Sequence, residues 1–283
     1  MKAPAPDTGA WDASVQEFER NGFVVIPNAL SATQVRELNV AFDGYIHEFP
    51  QEWSHFSESF IHTADVLPRV ADFDRVIENP VVLPFLQRLL GDKLAFEELS
   101  LMIRNPTQST GELKGWHRDI IRDYARRHEI KVISVVYYLT DVTAHDHCFS
   151  IIPGTHNALV DLRPQEVHPG METDVIGPAG SAFVFHARCI HAGKLKLGSR
   201  QRRTIHLYYG CFGDPRSSEW TEIPARLYTK EDASLPQHLY AKAQLRDIID
   251  GVGRKPRDVP PEMTTAQMLI YQQRRANQKA VTP

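Results

Sequence analysis

The sequence predicts a mainly β domain, a sandwich or barrel with helices supplied by its N-terminal third. Three observations predict it. After residue 92 the chain breaks into short apolar runs, at 94–104, 131–139, 148–152, 181–185 and 203–209, separated by Gly, Pro, Asn and Asp. Before residue 92 the apolar residues recur instead at helical spacing. A chain of 283 residues with 42% hydrophobic and 24% charged residues can also bury one large core without dividing.

Taken in order, residues 1–10 carry Pro4, Pro6 and Gly9 and read as a disordered lead-in, so a single domain is expected over 11–283. Residues 12–20 read as a helix ended by the turn signal Asn21-Gly22. Phe23 to Ile26 is a strand closed by Pro27. Ser31, with Gln34 three residues on, is a capping box, and Val35, Leu38 and Phe42 continue its helix as an apolar stripe. Residues 45–75 read as irregular, and within them His47–Phe73 reads as a lid, with Trp53, His55, Phe56 and Phe60 available to line it. Asn79-Pro80 opens a further helix that Gly91-Asp92 closes. Beyond the strands, 238–250 and 261–278 read as helices joined by a linker at 251–257. This extension, about 236–283, is placed to cover a site or to build a dimer interface.

The net charge of −3 gives no global field for nucleic acid or membrane, and no basic stripe carries interleaved aromatics. One local run, 194–203, holds five cations and no acid, and reads as either a solvated loop or an anion-binding strand. Cys148, Cys189 and Cys211 are scattered, with no CxxC pair, which suits reduced thiols in the cytoplasm. The N-terminus lacks an apolar signal region, and no apolar run approaches the roughly 18 residues of a membrane span. The expectation is a cytoplasmic monomer or homodimer whose partner is a small molecule.

The chemistry is concentrated in the stretch Gly-Trp-His-Arg-Asp. His117 and Asp119, two apart on a strand or strand end, point to one face. A later histidine, His191, would complete two imidazoles and one carboxylate on one side of a metal, leaving the other side open, as in non-haem Fe(II) oxygenases. With 13 histidines in the chain, decoys need weighing. His145-Asp146-His147 lies in a polar, turn-like stretch and reads as a solvated loop. His186 competes with His191, and His156 reads as packing on the Pro153-Gly154 turn. Arg202, eleven residues past His191, shares a strand face with Thr204, His206 and Tyr208, while Ile205 and Leu207 take the other. A guanidinium facing inward calls for a carboxylate, which its planar fork can hold through two hydrogen bonds. A 2-oxoglutarate-independent metalloenzyme of cupin type, and a binding module without catalysis, stay open at this point.

These residues and their order resemble the phytanoyl-CoA dioxygenase family of Fe(II)/2-oxoglutarate oxygenases. Phe18-Glu-Arg-Asn-Gly-Phe-Val-Val-Ile-Pro resembles the family's opening, and Trp116-His-Arg-Asp its metal motif. Tyr138-Leu-Thr-Asp, then Ile151-Ile-Pro-Gly-Thr-His, resemble its central strand and turn. Ala179-Gly-Ser-Ala-Phe-Val-Phe, His191 and Arg202 resemble its closing block. The resemblance spans about residues 15–210 and implies a double-stranded β-helix, the cupin-like jelly roll. It implies His117, Asp119 and His191 as iron ligands, and Arg202 on the distal carboxylate of 2-oxoglutarate. The implied reaction uses O2 to decarboxylate 2-oxoglutarate to succinate and CO2 while hydroxylating, desaturating or cyclising a substrate. Related halogenases have lost the carboxylate that Asp119 provides here, which argues for those outcomes over halogenation. This chain departs from the pattern at Gly193, where a hydroxyl residue is common, and at Asp146-His147, in place of Asn-Gly. Arg118 follows the first histidine, and Arg104 falls where some members place an asparagine on the co-substrate. Arg104, Ser134 and Thr204 are accordingly further candidate co-substrate contacts. Arg118, Arg122, Arg126 and Arg127 read either as an anion-recognising group or as a solvated helix face.

Overall fold

The computed structural model describes residues 8–57, 59–64, 66–108, 110–119, 132–157, 159–214 and 221–242. Residues Arg122, Arg126 and Arg127, and the expected helices past residue 242, lie outside that set.

Among the described residues, eleven strands form two antiparallel sheets. They are β1 (Phe23–Ile26), β2 (Ser54–Ser57), β3 (Phe60–Thr63), β4 (Leu94–Arg104), β5 (Gly111–His117), β6 (Ile133–Tyr138), β7 (Cys148–Ile151), β8 (Thr173–Val175), β9 (Ala182–His186), β10 (His191–Leu195) and β11 (Arg202–Cys211). The larger sheet runs β1-β9-β6-β11-β4-β3-β2 and the smaller β5-β10-β7-β8. From β4 onward the chain passes between the sheets, with β4, β6, β9 and β11 in the larger and β5, β7, β8 and β10 in the smaller. That winding is a double-stranded β-helix, the expected jelly roll.

The larger sheet is covered on both faces, which explains its nearly continuous apolar strands such as Ile-Ser-Val-Val-Tyr-Tyr in β6. Its outer face, with Leu99, Leu101, Ile103, Ile205 and Leu207, packs under α2 (Ala32–Glu48) and α4 (Leu83–Leu90) in one core. On its inner face Val136, Tyr138, Phe183 and Phe185 meet Cys148, Phe149, Ile151 and Val175 in a second core between the sheets. The Ser31–Gln34 capping box starts α2 as the spacing predicts. Asn79 accepts hydrogen bonds from Val81 and Val82 before α4, which ends at Gly91.

Three readings of the N-terminal third need correction. Helix α1 (Thr8–Asn21) begins inside the expected lead-in, because nothing after Pro6 forbids a helix. Residues 45–75 are not irregular throughout: α2 continues to Glu48, and β2 and β3 pair as a hairpin on the edge of β4. Strands of four residues without alternation leave no period to read. Trp53 is no lid residue either; it is buried with ring centroids 5.4 Å from Phe42 and 5.8 Å from Tyr45.

After α3 (Asp74–Ile77) and the strands, the segment 221–242 runs along the edge of β4 that β3 leaves uncovered, with α5 (Ala225–Tyr228) within it. Phe96 donates its backbone N–H to Leu239 at 2.7 Å, and the Thr221 hydroxyl exchanges hydrogen bonds with the backbone of Leu99. Lys242 pairs with Glu97, both fully buried, and any side chain at Gly210 would collide with that carboxylate. Among the described residues no helix is long and apolar enough to cross a membrane.

Candidate active site

His117 and His191 meet as register partners across β5 and β10. The register slips between His191 and Gly193, because β5 carries extra residues around Gly115. Gly115 takes φ 67°, the left-handed region that glycine adopts without a Cβ penalty. The bulge brings the Gly115 carbonyl to 3.1 Å from Nδ1 of His117. The Cys189 carbonyl stands 3.0 Å from Nδ1 of His191 in the same manner. An Nδ1–H held on a carbonyl leaves the Nε2 lone pair of each ring free for a metal. The rings lie 4.4 Å apart, and Phe149 stacks on His191 at 4.8 Å with Phe185 edge-on at 5.0 Å.

Asp119 lies two residues beyond β5, in a bend that its backbone N–H fixes by donating to the Ala187 carbonyl at 3.1 Å. Its Oδ1 is 3.3 Å from Nε2 of His191 and 3.7 Å from Nε2 of His117. The three donor atoms lie within 4.8 Å of one another, and this is the one such cluster among the described residues. Burial alone would raise the Asp119 pKa, but His191, His117 and the Tyr208 hydroxyl outweigh it and bring it down to about 2. The donor set, with both tautomers pinned, fits a divalent first-row metal.

The inner face of β11 presents Arg202, Thr204, His206 and Tyr208 to this centre. Register places Arg104 opposite Arg202, Met102 and Tyr138 on either side of Thr204, Ser100 opposite His206, and Ser134 and Glu98 beside Tyr208. Arg202 is 4% exposed and Arg104 7%. Arg202 donates through Nη1 to the His147 carbonyl at 3.2 Å, and its buried Nε has no acceptor among the described residues. Arg104 Nη1 and Ser100 Oγ are likewise buried without partners among the described residues, and Ser134 Oγ lies beside the Tyr208 hydroxyl. Burial lowers the pKa of both arginines, and Arg202 lowers that of Arg104 further. Burial, reinforced by Arg202, also pushes His206 down to about 3, so its ring is neutral, with Nε2 2.9 Å from the Thr204 hydroxyl. Unpaired cations and hydroxyls walled in this way fit a carboxylate ligand.

Sequence reasoning recorded the alternation along β11 but assigned no site role to His206 or Tyr208; the strand period was the available signal. Gly115 and Ser100 were missed outright.

Other sequence candidates fall elsewhere. The reading of His145-Asp146-His147 as a solvated loop is overturned, since Asp146 is 4% and His147 1% exposed. Asp146 accepts from Thr143 and Arg200, and His147 bonds Asn105, Lys196 and Ser199, so the pair fastens the start of β7 to the turn before β11. That network also absorbs part of the basic run: Lys194 and Lys196 pair with Glu172 and Asp174, and Arg200 with Asp146. Arg118 turns away from the centre and donates to the carbonyls of Thr155, Arg188 and Leu162. His186 and His156 lie together outside the triad, 5.6 Å apart, against a cavity of about 330 Å³ under α1 and α4.

A family model for phytanoyl-CoA dioxygenase (PhyH) matches residues 18–204. The L-proline trans-4-hydroxylase of Streptomyces griseoviridis is 23% identical over 70% of this chain and 85% of its own length. Among solved structures, the epimerase SnoN in complex with Fe3+, alpha ketoglutarate and nogalamycin RO aligns at TM-score 0.59 and 20% identity, covering 80% of this chain and 93% of that one. HygX from Streptomyces hygroscopicus, with nickel, 2-oxoglutarate and hygromycin B bound, aligns at TM-score 0.60 and 17% identity, over 81% and 95%. At these identities the structural likeness shows a shared fold.

Proposed function

The chain belongs to the phytanoyl-CoA dioxygenase family, and from that premise we propose that it is an Fe(II)- and 2-oxoglutarate-dependent oxygenase of a small-molecule substrate. One observation carries the reading: three metal-ligating side chains converge on one face, opposite a buried arginine with no carboxylate partner among the described residues. His117, Asp119 and His191 hold the metal. Arg202 receives the distal carboxylate of 2-oxoglutarate, with the hydroxyls of Thr204 and Ser134 as further contacts.

When bound, iron and 2-oxoglutarate supply O2-dependent oxidation, in which the co-substrate becomes succinate and CO2 and the substrate is oxidised. The protein's own residues do the positioning. The carbonyls of Gly115 and Cys189 hold each imidazole in its Nδ1–H form, and Tyr208 holds the second carboxylate oxygen of Asp119. Phe149, Phe183 and Phe185 close the space between the sheets and exclude water. The carboxylate at position 119 leaves no vacancy for halide, so the reading is hydroxylation, desaturation or ring closure. The proposal extends to one domain over 11–283, acting in the cytoplasm as a monomer or homodimer. Free thiols at Cys148, Cys189 and Cys211, two of them buried, suit that reducing compartment.

The test is oxygen consumption and succinate release by the iron-loaded protein, with and without 2-oxoglutarate. The proposal expects both to require 2-oxoglutarate and to vanish in His191→Ala. Oxygen uptake that proceeds equally well without 2-oxoglutarate would move the protein to a cupin-type chemistry.

A further inference from the structure

Two buried arginines stand side by side at this site, and the co-substrate reading uses one. Arg104 and Arg202 are register partners on β4 and β11, each more than nine-tenths buried. Each keeps a buried N–H group without an acceptor among the described residues, Nη1 on Arg104 and Nε on Arg202. No ion pair reaches either among the described residues. Paired burial of like charge is unfavourable unless anions meet it.

The two guanidinium groups also diverge. Arg202 leans toward the smaller sheet, where its Nη1 donates to the His147 carbonyl at the head of β7. Arg104 leans the other way, over the neighbouring strand β3, with its Cζ 3.4 Å from the centroid of Phe60. Phe56 stacks on Phe60 at 4.9 Å, so the β2–β3 hairpin backs the cation with an aromatic pair whose inner ring, Phe60, is itself buried. One face of the Arg104 guanidinium is covered by Phe60, and its in-plane Nη1 remains for a ligand. A 2-oxoglutarate molecule spanning the metal and Arg202 has both carboxylates committed.

We propose that Arg104, backed by Phe60, forms a second anion subsite that takes a carboxylate of the primary substrate, so that the substrate class is a small carboxylic acid. This rests on the assignment of Arg202 to 2-oxoglutarate. Sequence position groups Arg104 with the co-substrate contacts; the direction of its side chain separates it from them.

The experiment is calorimetric titration of the anaerobic, Fe(II)-loaded protein, first with 2-oxoglutarate and then with benzoate or benzamide as probes. Benzoate presents a carboxylate on a flat ring, and benzamide is its uncharged isostere. The wild-type protein loaded with 2-oxoglutarate is expected to bind benzoate at least about tenfold more tightly than benzamide. Arg104→Gln is expected to lose that preference while binding 2-oxoglutarate within about twofold of wild type, which also shows that the variant is folded. Equal binding of the two probes, or no benzoate binding, overturns the proposal. So does a loss of 2-oxoglutarate affinity in Arg104→Gln as large as in Arg202→Gln, because both arginines would then grip the co-substrate. If wild type binds no 2-oxoglutarate at all, it is the underlying reading that fails, and the subsite falls with it.

Discussion

Tyr208 donates its phenolic hydrogen to Oδ2 of Asp119 at 2.8 Å, while Oδ1 of the same carboxylate faces both histidines. One strand, β11, thus carries both Arg202, which we assign to the co-substrate carboxylate, and the phenol that holds Asp119. Burial, followed by the Asp119 charge, holds the Tyr208 phenol well above its ordinary pKa, so it stays a donor.

Tyr208→Phe removes that hydrogen bond, and with it the hydroxyl's contact to Ser134. Partners of this kind typically control metal affinity by about ten- to a hundredfold. The expected outcome is Fe(II) binding weakened at least about tenfold, with thermal stability of the metal-free protein little changed. Titration with Fe(II) under anaerobic conditions checks it; unchanged affinity would mean that Asp119 is oriented by its backbone contact to Ala187 alone.

The bulge at Gly115 makes a second prediction. Alanine at φ 67° costs about 1–2 kcal/mol, and relaxing the strain moves the carbonyl that pins His117. Gly115→Ala should therefore lower both stability and metal affinity. Gly44 is the control, since it lies in α2 with open space where a Cβ would sit. Gly44→Ala should stabilise by about 0.5–1 kcal/mol and leave metal binding unaltered. Denaturant melts and metal titrations of both variants separate the two effects.

Asp146 makes stability depend on pH. Its hydrogen bonds from Arg200, opposed by burial and aided by Thr143, hold its carboxyl well below the usual range. The folded protein therefore ionises Asp146 more readily than the unfolded chain does. Its contribution is complete above the unfolded pKa of about 3.9 and is lost as pH falls through the lower folded value. Asp146→Asn should destabilise by about 1–3 kcal/mol at pH 7, and the gap should narrow below about pH 4. Denaturation midpoints from pH 7 to pH 3 measure it, and a gap independent of pH contradicts the assignment.

How much of this was legible in the sequence follows the physics of each element. Strands β4 and β6 were readable because a sheet covered on both faces favours sustained apolar runs, and β11 through its alternation of polar and apolar residues. Strands β5 (Gly-Glu-Leu-Lys-Gly-Trp-His) and β10 (His-Ala-Gly-Lys-Leu) were not, since they belong to the smaller sheet and carry glycines and charges. Yet those two strands bring the histidines together. The triad was found through residue types and order, whereas the bulge that aims His117 depends on a register that spacing alone does not reveal. Asp146 and His147 misled because their polarity is satisfied by contacts far away in sequence, at Ser199 and Arg200. Arg118 misled for the same reason, its partners being backbone carbonyls of three distant loops.

The central claim is that one metal and one 2-oxoglutarate meet between the His117–Asp119–His191 face and Arg202. The most direct measurement is anaerobic addition of Fe(II) and then 2-oxoglutarate to the purified protein, following the visible charge-transfer absorption of a keto acid chelated to iron. The account predicts that the band appears in wild type, that Asp119→Ala abolishes it, and that Arg202→Ala needs at least about tenfold more 2-oxoglutarate to form it. Iron binding without any band, or a band whose 2-oxoglutarate requirement is the same in Arg202→Ala as in wild type, would contradict it.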